Sequence, residues 1–477
     1  MNDRPALASL VGKARADGWM TADRNESDPK TSTESFYMSL TKTVGFFAGT
    51  TLAIGGVAFG ADQTNYAAEI ADLKAQIASM KASQGDAWLT EQRAAEIRGI
   101  VTDVLADAET RSSLQGSGAG AGYDGGFFMS SADGNYSMKV NVLEQIRWTF
   151  DNREGQGADD QTWGFENKRT RLSFSGNLVD SSWSYKVAYY FGYSNDVEFN
   201  GANTVLADAW VAKDFGNGFK MTVGQFKLPF SGEYGLDAGN LQFNDYSTIS
   251  NAFADGYGQG LMFGYSADAF RAAVAYVNSL DSVNVAWGSG SPADEYALTG
   301  RGEFKFSGNW DQFNSGSSFK GEEMGVLVGV GANWANSNDA TIGDVFGMTA
   351  DVTVDFGGAN VMGAFYWDSN DNAASGENPY GFTLQGGVFV SDDVEVIARY
   401  EMGDADTTAT DNDFSAMTLG ANWYLAKNTA KMGFNFGYAF DGIGSTWSTA
   451  ASGNNWLTDA AGEDGQWMFQ AQMSFSF

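Results

Sequence analysis

The chain has 477 residues, with 28 basic against 59 acidic side chains, a formal charge of −31, 60 glycines, 14% aromatic residues, and neither cysteine nor histidine. Without Cys there is no disulfide framework and no thiol chemistry; without His there is no His-dependent zinc site, Ser-His triad or His acid-base catalysis. The acidic balance excludes cationic nucleic-acid binding, and so many aromatic residues argue against disorder.

Residues 1–37 are polar and mixed in charge, and read as an extension or a misplaced start. Lys42 precedes an apolar run at 44–61 that ends in Ala58-Phe59-Gly60. Small residues at 58 and 60 suit a signal peptidase, so 38–60 is expected to be a signal peptide and the mature chain to begin near Ala61. A single membrane anchor is the alternative, but Gly and Thr dilute the run and no basic stop-transfer cluster follows. No other segment is long and apolar enough for a membrane helix, so any further membrane residence must be through strands.

Residues 61–115 read as a helical stalk. Ile70, Leu73, Ile77 and Met80 follow a three-four spacing. Their register is broken further on by Gln84, Glu91 and Arg98, and Gly85-Asp86 loosens the middle. A short coiled coil that brings copies of the chain together and an amphipathic helix packed on its own chain both remain open. Residues 116–126 (G-S-G-A-G-A-G-Y-D-G-G) are expected to be a flexible linker.

From residue 127 onward the helical pattern gives way to strand-like runs between turn signals. Sixteen are predicted, near 136–150, 165–178, 182–193, 204–214, 219–228, 259–266, 269–278, 294–307, 322–335, 344–356, 359–368, 380–390, 393–402, 414–425, 430–440 and 466–477. The last is the most telling. Trp467, Phe469, Ala471, Met473, Phe475 and Phe477 share one face; Met468, Gln470, Gln472, Ser474 and Ser476 share the other. Lipid on one side and an aqueous lumen on the other satisfies both faces. Met432, Phe434, Phe436, Tyr438 and Phe440, opposite Lys431 and Asn435, repeat the pattern, as do Met348, Val352 and Val354 opposite Asp351 and Asp355.

Connector lengths alternate. Short ones (180–181, 214–218, 267–268, 356–358, 391–392, 426–429) interleave with long polar ones such as 151–164, 194–203, 229–258 and 441–465. An even count with short turns at one end and long loops at the other is the pattern of a closed outer-membrane barrel; a soluble sandwich has no reason for it. Connector 308–321 falls on the short side yet is long. Loop 403–413 carries Asp404, Asp406, Asp411 and Asp413, side chains of a kind that bind Ca²⁺, but their spacing is not that of an EF-hand and a solvated outer loop is expected.

Several segments resemble the phosphate-selective porin family: G-F-F-M-S-S-A-D-G-N-Y-S-M-K-V-N at 126–141, R-T-R-L-S-F-S-G at 169–176, G-Q-F-K-L-P-F at 224–230, V-E-V-I-A-R-Y-E at 394–401 and L-G-A-N-W-Y-L at 419–425. The resemblance covers about 125–477, and the helical segment is similar to that of a stalked subgroup. It implies a sixteen-stranded antiparallel barrel, a homotrimer, and passage of small hydrophilic solutes and ions. Two departures stand out. No arginine ladder is evident, which puts phosphate specificity in doubt. Glu144 alternates with Val142 and Ile146 on an apolar face, where a bare carboxylate is costly.

In porins of this size the third long loop commonly folds inward, and here that loop is 229–258. Its acids Glu233, Asp237, Asp245 and Asp255 are expected to form one wall of a constriction. Arg147, Arg169, Arg171, Lys186 and Arg399, predicted to face the lumen, with Lys227 at the loop's root, are expected to form the other. Opposed walls of charge would set up a transverse field that orders polar solutes. The expectation is therefore a trimeric outer-membrane porin embedded in lipid, with its stalk in the periplasm, passing solutes by diffusion without catalysis, cofactor or metal. The alternative is a barrel anchor whose stalk tethers the outer membrane to the cell wall.

Overall fold

The computed structural model describes residues 71–79, 120–155, 160–191, 204–280, 284, 294–337, 343–370, 377–407, 412–450 and 455–477. The chain divides into two units. In the first, only 71–79 is described, and it is helical; Leu73 and Ile77 are exposed on it. Ile70, Met80, the expected signal peptide and most of the stalk lie outside the described residues.

The second unit is built on strands. A small hairpin, β1 (Gly120–Tyr123) and β2 (Phe127–Ser130), comes first. Part of the glycine-rich segment expected as linker is thus paired, because Tyr123 opposes Phe127 and their rings meet edge-on at 5.3 Å. There follow β3 (Ser137–Asn152), β4 (Gln161–Leu178), β5 (Asp180–Phe191), β6 (Thr204–Gly216), β7 (Phe219–Lys227), β8 (Tyr257–Ser266), β9 (Phe270–Val277) and β10 (Asp294–Ser307). Then come β11 (Gly325–Ser337), β12 (Val345–Asp355), β13 (Ala359–Asn370), β14 (Tyr380–Phe389), β15 (Val394–Asp404), β16 (Asp413–Ala426), β17 (Ala430–Ala439) and β18 (Trp467–Ser476).

All sixteen expected strands form, each antiparallel to the next, and β18 pairs with β3 to close the barrel. Closure removes the two edges an open sheet would expose. The seam pairs Trp467–Ser476 with Leu143–Asn152, and Phe477 extends it, its N–H donating to the Val142 carbonyl at 3.0 Å while its own carbonyl accepts from Val142 N–H at 2.6 Å.

The barrel is inside-out relative to a soluble protein. Along β15, Val396, Tyr400 and Met402 are exposed, while Glu395, Arg399 and Glu401 are buried. Along β17, Phe434, Phe436 and Tyr438 are exposed and Asn435 is buried. An apolar outer surface on strand after strand is what lipid requires and water penalises. Among the described residues no helix is long and apolar enough to cross a membrane. Glu144 does lie on the outer face, half-buried, between Thr170 on β4 and Phe475 on β18.

The lumen is not left open. Residues 228–256 fold into it as a compact loop whose turns are capped locally. Ser231 accepts from Tyr234 N–H at the start of α1 (Gly232–Gly235), Asp237 accepts from Gly239 N–H, and Ser247 accepts from Ser250 N–H at the start of α2 (Thr248–Phe253). Such caps satisfy donors that a short helix leaves orphaned inside a barrel. Ile249 and Phe253 of α2 pack with Tyr366, Phe414, Trp447 and Trp456, so the last long loop, with α3 (Ser445–Ala450), also turns inward. The glycines that look from sequence like turn residues serve here as clearance. A Cβ on Gly381 would stand 2.6 Å from Ile249, and one on Gly403 would stand 2.5 Å from Trp447 and 2.9 Å from Ile249.

The long connector on the short-turn end has a structural reason. Residues 309–324 also enter the barrel. Ser317 Oγ donates to Glu395 at 3.0 Å and lies 2.8 Å from the Tyr424 hydroxyl, and Phe319 packs on Phe389 and Tyr424. Gly316 N–H donates to the Asn240 carbonyl at 2.8 Å, joining this turn to the inward loop.

Candidate functional site: the inward loop and the lumen wall

The loop meets the wall through ion pairs. Asp245 is fully buried and accepts from Arg169 at 2.8 Å and Arg147 at 2.9 Å, with Lys168 Nζ at 3.5 Å. Those three bases hold its carboxyl well below the usual carboxylate range despite burial. Glu233 accepts from Arg399 at 2.9 Å, from Ser247 N–H at 3.0 Å and from Ser247 Oγ at 2.5 Å. Asp237 accepts from Arg171 at 2.7 Å, and that guanidinium, with the Gly239 N–H, keeps its carboxyl below the ordinary value. Among the described residues Asp255 meets no base: it accepts from Thr299 Oγ1 at 3.0 Å and Asn333 Nδ2 at 2.7 Å, and burial pushes its carboxyl up to about 7.

The four acids and the wall bases are therefore brought together, but not as opposed walls of an open gap. Three acids are in direct contact with bases, and most of these pairs are sealed from water. The side chains of Asp245 and Arg147 are both 0% exposed, and those of Glu233 and Arg399 are 0% and 3%. The charges that remain wet are Asp237, 37% exposed, with Arg171 at 12%, and Lys186, 30% exposed and 2.8 Å from Asp208. Lys227 donates to the Tyr246 hydroxyl at 3.1 Å and stands 4.1 Å from the Tyr234 ring centre, within a tyrosine cluster. A transverse field across the whole lumen thus gives way to local pairing, in which three bases share Asp245 and Glu166 stands 3.8 Å from Arg147. A buried charge without a partner costs several kcal/mol, so the loop folds where its acids find the wall's bases.

Three further groups were not anticipated. Lys168 should point outward by strict alternation. Instead Gln145 pairs with Arg169 and Ile146 with Asn167, so Lys168 is the extra residue of a β-bulge. The bulge turns both Lys168 and Arg169 to the lumen and puts three bases around Asp245. A Lys-Arg doublet in a strand is the one sequence signal that could have flagged it. On the opposite wall, Arg301 is paired at 2.7 Å with Asp351 and at 2.9 Å with Glu303, beside the loop carbonyl of Phe230. Glu401 accepts from the Thr248 and Ile249 N–H groups at the start of α2.

An apolar-coated, sixteen-stranded closed barrel with a long loop folded into a charged lumen defines an outer-membrane channel of the porin class. The model of the family described as phosphate-selective porin O and P matches residues 140–375 of the chain. Similar solved structures include an anion-selective porin from Comamonas acidovorans, 13% identical, covering 71% of this chain and 99% of that one with a TM-score of 0.49. OmpT of Vibrio cholerae is 15% identical, covers 75% of this chain and 99% of that one, and has a TM-score of 0.44. Salmonella typhi OmpF, solved with daunomycin, is 11% identical, covers 73% and 99%, and has a TM-score of 0.49. No curated protein sequence matches the chain.

Proposed function

We propose that the chain passes small hydrophilic solutes and ions through the outer membrane by passive diffusion, with weak selectivity and no preference for phosphate. One observation carries this reading: most of the lumen bases are already in contact with an acid. Arg147, Lys168 and Arg169 face Asp245, Arg171 faces Asp237, Lys186 faces Asp208, Arg301 faces Asp351, and Arg399 faces Glu233. A phosphate pathway needs cations whose charge is available to the ion. The wet group of Asp237 with Arg171 and Lys186 with Asp208 sums to zero charge. The acids of the long loops raise local cation concentration outside, screened within about 8 Å at physiological salt.

The working form is proposed to be a homotrimer with its N-terminal helix in the periplasm. Glu144 on the outer face supports a subunit contact there, since a carboxylate against lipid is penalised. Single-channel recording in planar bilayers tests the function. Large, stable steps with reversal potentials near zero in a salt gradient are expected. A silent barrel, or strong anion selectivity with phosphate blocking chloride current at low concentration, overturns it.

A further inference from the structure

Asn333 on β11, Gly347 on β12 and Asp368 on β13 lie on one rung of three adjacent strands, since Asn333 pairs with Gly347 and Gly347 with Asp368. Asn333 and Asp368 are lumen-facing and more than nine-tenths buried. Because Gly347 has no side chain, both lean over it: the position its Cβ would take is 2.6 Å from Asn333 Oδ1 and 2.6 Å from Asp368 Oδ1. Neither oxygen has a hydrogen-bond partner. Asn333 points its amide the other way, donating Nδ2 to Asp255 Oδ1 at 2.7 Å. Asp255 in turn lies within electrostatic reach of Asp368. Among the described residues neither Asp255 nor Asp368 makes an ion pair with Lys or Arg.

Asp368 Oδ1 and Asn333 Oδ1 therefore meet over Gly347 with no donor between them, and Asp255, which accepts from Thr299 and Asn333, adds a second buried carboxylate beside the Asn333 amide. Elsewhere in this lumen Asp245, Glu233 and Glu401 have an Arg, a Lys or backbone N–H groups, and Glu395 has side-chain donors from Gln242, Ser317, Asn422 and Tyr424. Uncompensated, the arrangement would be strongly destabilising. All three groups offer hard oxygen, the donor set of Ca²⁺, with water completing the shell. We propose that Asp368 Oδ1, Asn333 Oδ1 and the Asp255 carboxylate hold a divalent cation of the Ca²⁺ type over Gly347. The ion would tie the end of the inward loop at Asp255 to β11 and β13.

The test uses the full chain in detergent, stripped with EDTA and titrated with CaCl₂, followed by calorimetric binding and thermal unfolding. The expected result is one Ca²⁺ per subunit that raises the unfolding temperature. Asp368→Asn and Gly347→Ala should each weaken that binding tenfold or more, the second because its methyl group occupies the space between the oxygens. The double change Asp404→Asn with Asp406→Asn, in an outer loop, should leave the stabilisation intact. Equal stabilisation of wild type and Asp368→Asn, or its loss on changing the outer-loop acids, overturns the proposal. In that case Asp368 is protonated and donates to Asn333. Should the lumen variants fail to fold, wild type alone decides: indifference to both EDTA and Ca²⁺ overturns it.

Discussion

The Asp245 carboxylate lies 2.9 Å from the Arg147 guanidinium, and neither side chain has any exposure to water. Arg147 belongs to β3 and Asp245 to the inward loop, so this contact fixes the loop to the first barrel strand. Arg147 also donates to the Asn244 carbonyl at 2.9 Å and to Gln472 of β18 at 2.8 Å. One guanidinium thus joins the loop to both sides of the seam at which the barrel closes.

Asp245→Asn is expected to destabilise the loop severely. It leaves Arg147, Lys168 and Arg169 buried around a neutral group, at a cost of about 3–5 kcal/mol. Thermal unfolding and open-channel noise read the effect. The native pH dependence follows from the same contact. The Asp245 carboxyl is held below its unfolded value, so its contribution is complete above about pH 4 and is lost only as pH falls further, through the folded value. Conductance should therefore be flat from pH 5 to pH 8 as far as this pair sets it. A step in that range that persists after Asp255→Asn, whose carboxyl burial pushes up to about 7, would show that the pair does not hold the loop.

Gly403→Val places methyl groups where the Trp447 and Ile249 side chains already stand. Overpacking of this kind costs about 1–3 kcal/mol. Ile249→Ala removes the same contact from the other side and leaves a cavity, costing about 2–5 kcal/mol. Both should loosen α2 and raise conductance, with protease cleavage appearing between 229 and 256. Gly403→Val with unchanged conductance and no new cleavage would mean that the loop does not rest on this wall.

The barrel was legible in the sequence because its physics repeats: each strand alternates between lipid and lumen, and each connector is short or long according to its end. The site was legible as a set of charges but not as pairs. Alternation correctly placed Arg147, Arg169, Arg171, Lys186 and Arg399 inward, yet it hid Lys168, because one bulge reverses the parity of the strand beyond it. No local signal tells that Asp245 rather than Asp255 meets the bases, since that choice is made by the whole loop's fold. The long turn at 309–324 looked anomalous because sequence shows a connector's length but not that it enters the barrel.

The helical segment should contribute to assembly through Ile70, Leu73, Ile77 and Met80. Leu73 and Ile77 are exposed on the described helix, 43% and 37%, which leaves them available to another copy. Ile70→Asp with Ile77→Asp should weaken the trimer while the barrel still folds. Native mass analysis reads this directly. Monomers alone in the wild type would end the assignment.

Shortening the turn at 309–324 should widen the pore from the other end. It removes Ser317 from Glu395 and Tyr424, Phe319 from its aromatic pocket, and the Gly316–Asn240 bond that steadies the inward loop. The sixteen strands need no more than a tight turn between β10 and β11, as other connectors at that end show. Single-channel conductance should rise and become noisier, with the thermal unfolding of the barrel little changed. Unaltered conductance would place this turn outside the path of ions.

Selectivity should answer to the wet charges and not to the sealed ones. Asp237, Arg171 and Lys186 touch water, whereas Asp245 and Glu233 are 0% exposed and already neutralised at contact distance. An ion in the lumen feels a contact pair as a weak dipole, which falls off faster with distance than a single charge. Asp237→Asn should therefore move the reversal potential toward anions, because it leaves Arg171 without its acid beside the water path. Arg171→Gln with Lys186→Gln should move it toward cations. Glu233→Gln should disturb the loop through Arg399 more than it moves the reversal potential. Measured in a tenfold KCl gradient, opposite shifts for the first two variants support this account. A larger shift for Glu233→Gln than for Asp237→Asn would mean that ions pass between the loop and the Arg399 wall instead.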